Sequence, residues 1–371
     1  MTYGTVNADT LVTSTSGGIL GAGDASIMKN RIINGAVTIS QRNGSSATTI
    51  PAYTNTYGPD RWYGASQPVG SKYSIAQGNT GGAALAAGFV NCLNVVSLSA
   101  YSITSGDIHT VCQRVEGYNT ADLQWGTANA KTVTLSFWAY SSITGTWAGV
   151  ITDSANAYTY PFTYTISSAS TWEYKTITIA GPTSGTWSTT TGIGLNLCFS
   201  VGVGSSFTAT ANAWTNAANT FGVTGANSLL GTNGAQLSFT GVQLEVGSSA
   251  TGFEYVNYQT SLANCQRYFQ TYVNANQACI PANGVWRNSS RADVTQVLPV
   301  VMRATPTIAT TNIGNINVYS GGSSSAASGF SDNGSSPNIV AINISATGTA
   351  GAGVYLQASG ASAGYTLSSE L

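Results

Sequence analysis

Between residues 193 and 203, apolar side chains fall on six consecutive odd positions, Ile193, Leu195, Leu197, Phe199, Val201 and Val203. Gly194, Asn196, Cys198, Ser200 and Gly202 lie between them. A two-residue period is the period of a strand, and it predicts one face in a core and the other in solvent. Residues 131–140 repeat the pattern, with Val133, Leu135, Phe137 and Ala139 inward and Trp138 and Tyr140 turned outward. Tyr158, Tyr160, Phe162, Tyr164 and Ile166 form a further one-faced row. Pro161 lies in its middle, and a residue without an N–H belongs on an edge strand.

Residues 236–246 break the rule in an informative way. Leu237 and Phe239 share one parity, whereas Val242, Leu244 and Val246 share the other, and Gly241 sits where the phase flips. One extra residue at Thr240-Gly241 keeps both runs on the same core, which predicts a β-bulge there. From Thr260 to Phe269 the spacing changes to threes and fours through Leu262, Cys265, Tyr268 and Phe269. That predicts a short helix capped by Thr260 or Ser261.

Short one-faced strands between turns, without helical periods among them, indicate an all-β sandwich. Three parts follow: a tail at 1–30, a first body at 31–257, and a smaller second β body at 258–371 that opens on the short helix. In the second body, strands are expected at 294–302, 316–319, 338–344 and 354–358. Residues 321–328 and 331–334 read as loops.

Composition changes the picture of the surface. Only 7% of the 371 residues are charged, and the formal net charge is -1, against roughly 25% charged residues in an ordinary soluble domain. Ser, Thr, Asn and Gly must therefore cover the outside, so contacts depend little on salt and copies repel each other little. No basic patch exists to hold a phosphate backbone, which excludes nucleic acid as an expected partner. No signal peptide is read at the start, and the most apolar window, residues 83–96, is too short to span a bilayer. Cys92, Cys112, Cys198, Cys265 and Cys279 are scattered and odd in number, as expected of reduced thiols in a protein made in a cytosol.

Candidate chemistry is sparse. His109 is the only histidine and Asp107 shares its face, but no serine elbow accompanies them, so a strand or surface histidine is expected. Cys92, His109 and Cys112 lack the paired spacing and fourth ligand of a zinc site, and neither metal nor cofactor is expected. Asp107, Glu116, Asp122, Asp153, Glu173 and Glu245 could converge for glycoside cleavage, which keeps a glycan depolymerase as an alternative. Aromatic rings beside amides and hydroxyls are the remaining candidates, because a sugar stacks its C–H face on a ring while its hydroxyls hydrogen-bond. Among Trp62, Trp125, Trp138, Trp147, Trp187, Trp214 and Trp286 most belong in a core. Trp138 and Tyr140, turned outward, and Trp286-Arg287, read as a distal loop, are the expected ligand-binding residues.

Several segments are similar, in order, to a family of bacteriophage tail-fibre and virion-appendage proteins. They are Asn30-Arg-Ile-Ile-Asn-Gly-Ala, Asp60-Arg-Trp, Gln113-Arg-Val-Glu-Gly-Tyr, Val133-Thr-Leu-Ser-Phe-Trp and Thr171-Trp-Glu-Tyr-Lys-Thr-Ile. Val242-Gln-Leu-Glu-Val-Gly, Cys265-Gln-Arg-Tyr-Phe and Met302-Arg-Ala-Thr-Pro-Thr complete the series. The resemblance implies a carbohydrate-binding-like jelly roll followed by a small distal β domain, and it carries no catalytic residues. It further implies a non-enzymatic virion appendage, a tail fibre or spike anchored by residues 1–30 to other virion proteins. The expected assembly is a homotrimer, and the expected partner is glycan on the host surface. A structural head fibre or decoration protein without ligand is the other alternative.

Overall fold

The computed structural model describes residues 11–12, 19–20, 28–274, 279–360 and 362–371. The anchoring role expected of residues 1–30 falls almost wholly outside them. Two six-stranded antiparallel sheets form the first body, a jelly-roll sandwich. The first sheet runs Thr159–Ile166, Gly145–Thr152, Ile193–Val203, Ile108–Glu116, Tyr63–Gln67 and Thr56–Tyr57. The second runs Thr171–Ile179, Val133–Ser141, Gln236–Val246, Asn91–Ser97, Tyr73–Asn79 and Thr48–Thr49. Pro161 does lie on an edge strand. Between the sheets, Phe199 stacks on Phe239 at 4.0 Å between centroids, with Phe137 set against both at an angle.

The parity flip at Gly241 is a bulge. Thr240 pairs with Trp138 and Gln243 with Ser136, so two residues oppose one. Leu237, Phe239, Val242 and Leu244 are all fully buried as a result, while Val246 ends the strand exposed. Beyond the bulge, the segment around residues 30–35 takes over as neighbour of this strand. Arg31 N donates to Leu244 O at 2.9 Å and Val242 N to Gly35 O at 3.0 Å. A Cβ on Gly35 would lie 2.1 Å from Val242 O, which is why a glycine stands there.

Three expectations for this body need correction. Both faces of Ile193–Val203 are buried, because Cys198 joins Tyr63, Cys112 and Val150 in an outer cluster over which Phe221 packs. Cys112 and Cys198 are directly opposed on neighbouring strands and form a disulfide, so the five cysteines are not all thiols. His109 lies on the strand Ile108–Glu116, so of the two settings expected the strand holds and the surface does not, for the residue is wholly buried. Its Nδ1 lies 3.1 Å from Ser66 Oγ, and Tyr73 and Tyr101 present ring edges to it.

The helix spans Tyr258–Gln266, two residues earlier than its spacing suggested. Its cap is Asn257, whose side chain accepts from Thr260 N at 2.8 Å. Of the expected stripe, only Leu262 and Cys265 lie on the helix, with Cys265 buried and Leu262 half-buried, while Tyr268 follows in a turn and Phe269 opens the next strand, both buried.

The second body is also a sandwich with its own core. A seven-stranded sheet runs Ser323–Ala326, Ile316–Ser320, Gly353–Ala358, Cys279–Asn288, Arg291–Val297, Ile339–Ser345 and Gly329–Asp332. It faces a three-stranded sheet of Phe269–Asn274, Ala363–Ser368 and Thr307–Thr311. Parts of both segments expected to be loops are strands, since Ser, Gly and Ala carry little periodic signal.

Charge is concentrated where the bodies meet. A chain with only 12 basic and 13 acidic residues places Arg42, Asp60, Arg61, Arg114, Glu116, Arg267, Arg303 and Glu370 there. Glu370 takes Arg42 at 2.8 Å and Arg61, while Glu116 takes Arg267 at 2.6 and 2.9 Å and Tyr268 at 2.7 Å. Arg61 lies over the Tyr268 ring and Arg42 over Phe269. Burial lowers the pKa of both guanidiniums and, against the pull of Arg61, pushes the Tyr268 phenol up to about 12.

Candidate functional site

Alternation along Val133–Ser141 leaves Trp138 and Tyr140 on the outer face of the second sheet, each half-buried. Register decides what stands beside them. Trp172 pairs with Tyr140 and Tyr174 with Trp138, giving ring centroids 5.5 Å apart in each pair. On the other side Ser238 pairs with Tyr140, and Asn94 pairs with Ser238 across the next strand. A four-strand face thus grades from aromatic rings to hydroxyls and amides, with Ser238 Oγ donating to Asn94 Oδ1 at 2.9 Å.

The connection between Tyr73–Asn79 and Asn91–Ser97 folds over this face. It carries a helix at Gly82–Ala86, whose Ala84 is buried against Cys92 and Trp172, with Trp138 and Tyr140 packed alongside. A groove of about 520 Å³ remains. Tyr140, Trp172, Asn94, Gln236 and Ser238 line it from the sheet, and Asn79, Thr80 and Gly81 from the overlying loop. No charged residue lines it. Burial raises the Cys92 thiol to about 12, so the floor is neutral as well.

Of the four residues singled out from the sequence, Tyr140 lines the groove and Trp138 stands next to it, outside the lining. Trp286 lies in a strand rather than a loop and is 2% exposed in the second core. Its ring packs so closely on Gly348 that a Cβ there would come within 2.0 Å. A ligand therefore has no access to it. Arg287 is exposed and sits 3.4 Å from Asp293, remote in sequence and in body from Tyr140. Trp172, Asn94, Gln236 and Ser238 were not anticipated. Trp172-Glu-Tyr174 alternates visibly, but which strand it neighbours is a tertiary fact.

The candidate acids serve elsewhere. Asp107 accepts from Tyr101 and Thr104, Asp122 from Arg31, Asp153 from Ala157, and Glu173 from Ser167, Ser168 and Lys175. Glu245 accepts from Gln243 and Thr251. Ser66, His109 and Asp107 are all nearly or fully buried, so this cluster opens no nucleophile to solvent. Cys112, in its disulfide, is unavailable to a metal, and among the described residues no group of three His, Cys, Asp or Glu could hold one.

A larger cavity of about 810 Å³ lies between the segment from Met28, the Phe89 turn and the junction helix. Its polar groups are largely engaged with one another. Glu254 accepts from Asn30 N at 2.6 Å, and Asn30 Oδ1 from Ile32 N and Leu244 N. It reads as a seam of the fold, whereas the groove offers rings and amides to the outside.

No protein-family model and no curated protein sequence matches the chain. Fold and groove together define an all-β jelly-roll sandwich with an uncharged aromatic groove. Solved structures similar to it include the enzymatically active domain of tailspike protein 4 of bacteriophage CBA120. Identity there is 12% at a TM-score of 0.30, over 59% of this chain and 21% of that one. A family 11 carbohydrate-binding module of a Clostridium thermocellum cellulosomal cellulase shows 11% identity and a TM-score of 0.27, over 56% and 99%. The xylan-binding domain of Paenibacillus barcinonensis Xyn10C shows 7% and 0.25, over 56% and 99%. These are loose likenesses, and each covers less than two thirds of this chain.

Proposed function

We propose that the protein is a glycan-binding virion appendage of a bacteriophage, a tail fibre or spike that attaches the particle to its host. The groove beneath Gly82–Ala86 carries this reading, because two rings beside amides and hydroxyls, with no charge, suit a sugar. The ordered motifs shared with phage appendage proteins support the virion setting. A homotrimer fits a chain of almost no net charge, and several shallow sites on one particle gain avidity once the first has engaged.

Purified protein is expected to compete with phage for adsorption to the host, and Trp172→Ala to lose that competition while keeping the wild-type circular dichroism spectrum. Equal competition by wild type and variant would refute the assignment to the groove. Failure of the wild type to compete would refute the attachment role. In analytical ultracentrifugation a trimer is expected, and a monomer at micromolar concentration would contradict the assembly.

A further inference from the structure

We infer that the groove takes the end of an uncharged saccharide chain rather than a stretch from its middle. The inference rests on the glycan-binding reading above and adds to it the ligand's charge and the way the ligand enters.

Charge follows from the walls. A carboxylated or sulfated sugar placed between Tyr140, Trp172 and the amides of Asn94 and Gln236 would give up water without meeting a cation. An anion buried without a partner is strongly disfavoured. Entry follows from the helix. Tyr140–Trp172 and Trp138–Tyr174 form a row of rings along the two strands, which on an open sheet would seat a chain running straight across. Ala84, fully buried on Trp172 and Cys92, sets Gly82–Ala86 down on that row. The Tyr140–Trp172 pair is left in the groove and the Trp138–Tyr174 pair outside its lining. A chain lying along the rings is stopped at the helix, so only its terminal sugars enter.

Gly81 supplies a clean probe. Its φ of -157° is extended backbone that any residue adopts, and a Cβ there meets nothing within 4 Å. Gly81→Tyr therefore adds a bulky ring at a residue that lines the groove, with no clash at its Cβ. The experiment is isothermal titration of the full chain with linear glucans, mannans, galactans and N-acetylglucosamine oligomers, against oligogalacturonate and alginate as the acidic arm. Binding to at least one neutral series is expected, at least ~10-fold tighter than to either acidic series and unchanged by salt. Stoichiometry should stay at one site per chain as the oligomer lengthens, and Gly81→Tyr should weaken binding at least ~10-fold.

Equal or tighter binding of the acidic series, or a number of bound proteins that rises with chain length, would overturn this inference and leave the glycan-binding reading standing. Wild-type affinity in Gly81→Tyr would move the ligand out of the groove and overturn both. Absence of binding in every arm would also overturn both.

Discussion

At the scale of single residues, Gly241 shows how tightly backbone conformation and packing are joined. Its φ is +58°, and a Cβ would meet the Phe89 ring at 2.6 Å. Gly241→Ala should therefore cost about 2 kcal/mol or more, read as a lower denaturation midpoint at unchanged m-value. A midpoint equal to wild type would refute the bulge as a strict requirement. The glycine was legible from parity alone, because a period of two leaves a one-residue phase error no other remedy.

His109 was not legible in that way. Its burial depends on Tyr73 and Tyr101, which arrive from other parts of the sandwich, and burial lowers its pKa from 6.5 to about 4 despite the opposing pull of Asp107. The unfolded chain then takes up a proton near pH 6.5 that the folded chain refuses until about pH 4. Its contribution to stability is complete above pH 6.5 and is lost as pH falls through that interval. Denaturation midpoints measured from pH 7 to 4 should decline, and His109→Gln should flatten the decline. An unchanged slope in the variant would show that other groups set it.

Among elements, strands with large alternating side chains could be read from the chain. Residues 133–139 and 159–166 fold as their patterns require. Strands made of Ser, Gly and Ala, such as Ser323–Ala326, could not, because their register is fixed by neighbours rather than by a hydrophobic face of their own. Pairing between strands was equally hidden, and with it the Cys112–Cys198 disulfide and the meeting of Trp172 with Tyr140. The disulfide joins strands whose cysteines stand 86 residues apart, so closing that loop in the unfolded chain contributes roughly 2–4 kcal/mol. Replacing both cysteines with serine should lower the melting temperature, and intact-mass analysis before and after alkylation should show one pair protected. Labelling of all five cysteines under native, non-reducing conditions would contradict the pairing.

In the whole molecule, four of the sequence motifs meet away from the candidate groove, while Thr171 and Trp172 of another line it. Asp60-Arg-Trp, Gln113-Arg-Val-Glu, Cys265-Gln-Arg-Tyr-Phe and Met302-Arg are the parts of one buried junction. Glu370, which no motif announced, completes it. Residues scattered over 300 positions show their charge as a sparse background until folding brings them together. Glu370→Gln leaves Arg61 buried against a neutral partner and Arg42 with Asp60 alone, and should destabilise the chain by about 3 kcal/mol. Calorimetry should record that loss as a lower transition temperature or as two transitions where the wild type has one. A wild-type thermogram would show that the ion pairs contribute nothing to coupling the bodies. With charge collected at the junction, the groove is left to rings, hydroxyls and amides.

The position of a bound sugar tests this account most directly. A crystal of the protein soaked in the best-binding oligosaccharide should show sugar rings against Tyr140 and Trp172, with hydroxyls within hydrogen-bond distance of Asn94 or Gln236. Sugar seated in the cavity beside Phe89, sugar held by the second body, or an empty groove at saturating ligand would contradict it.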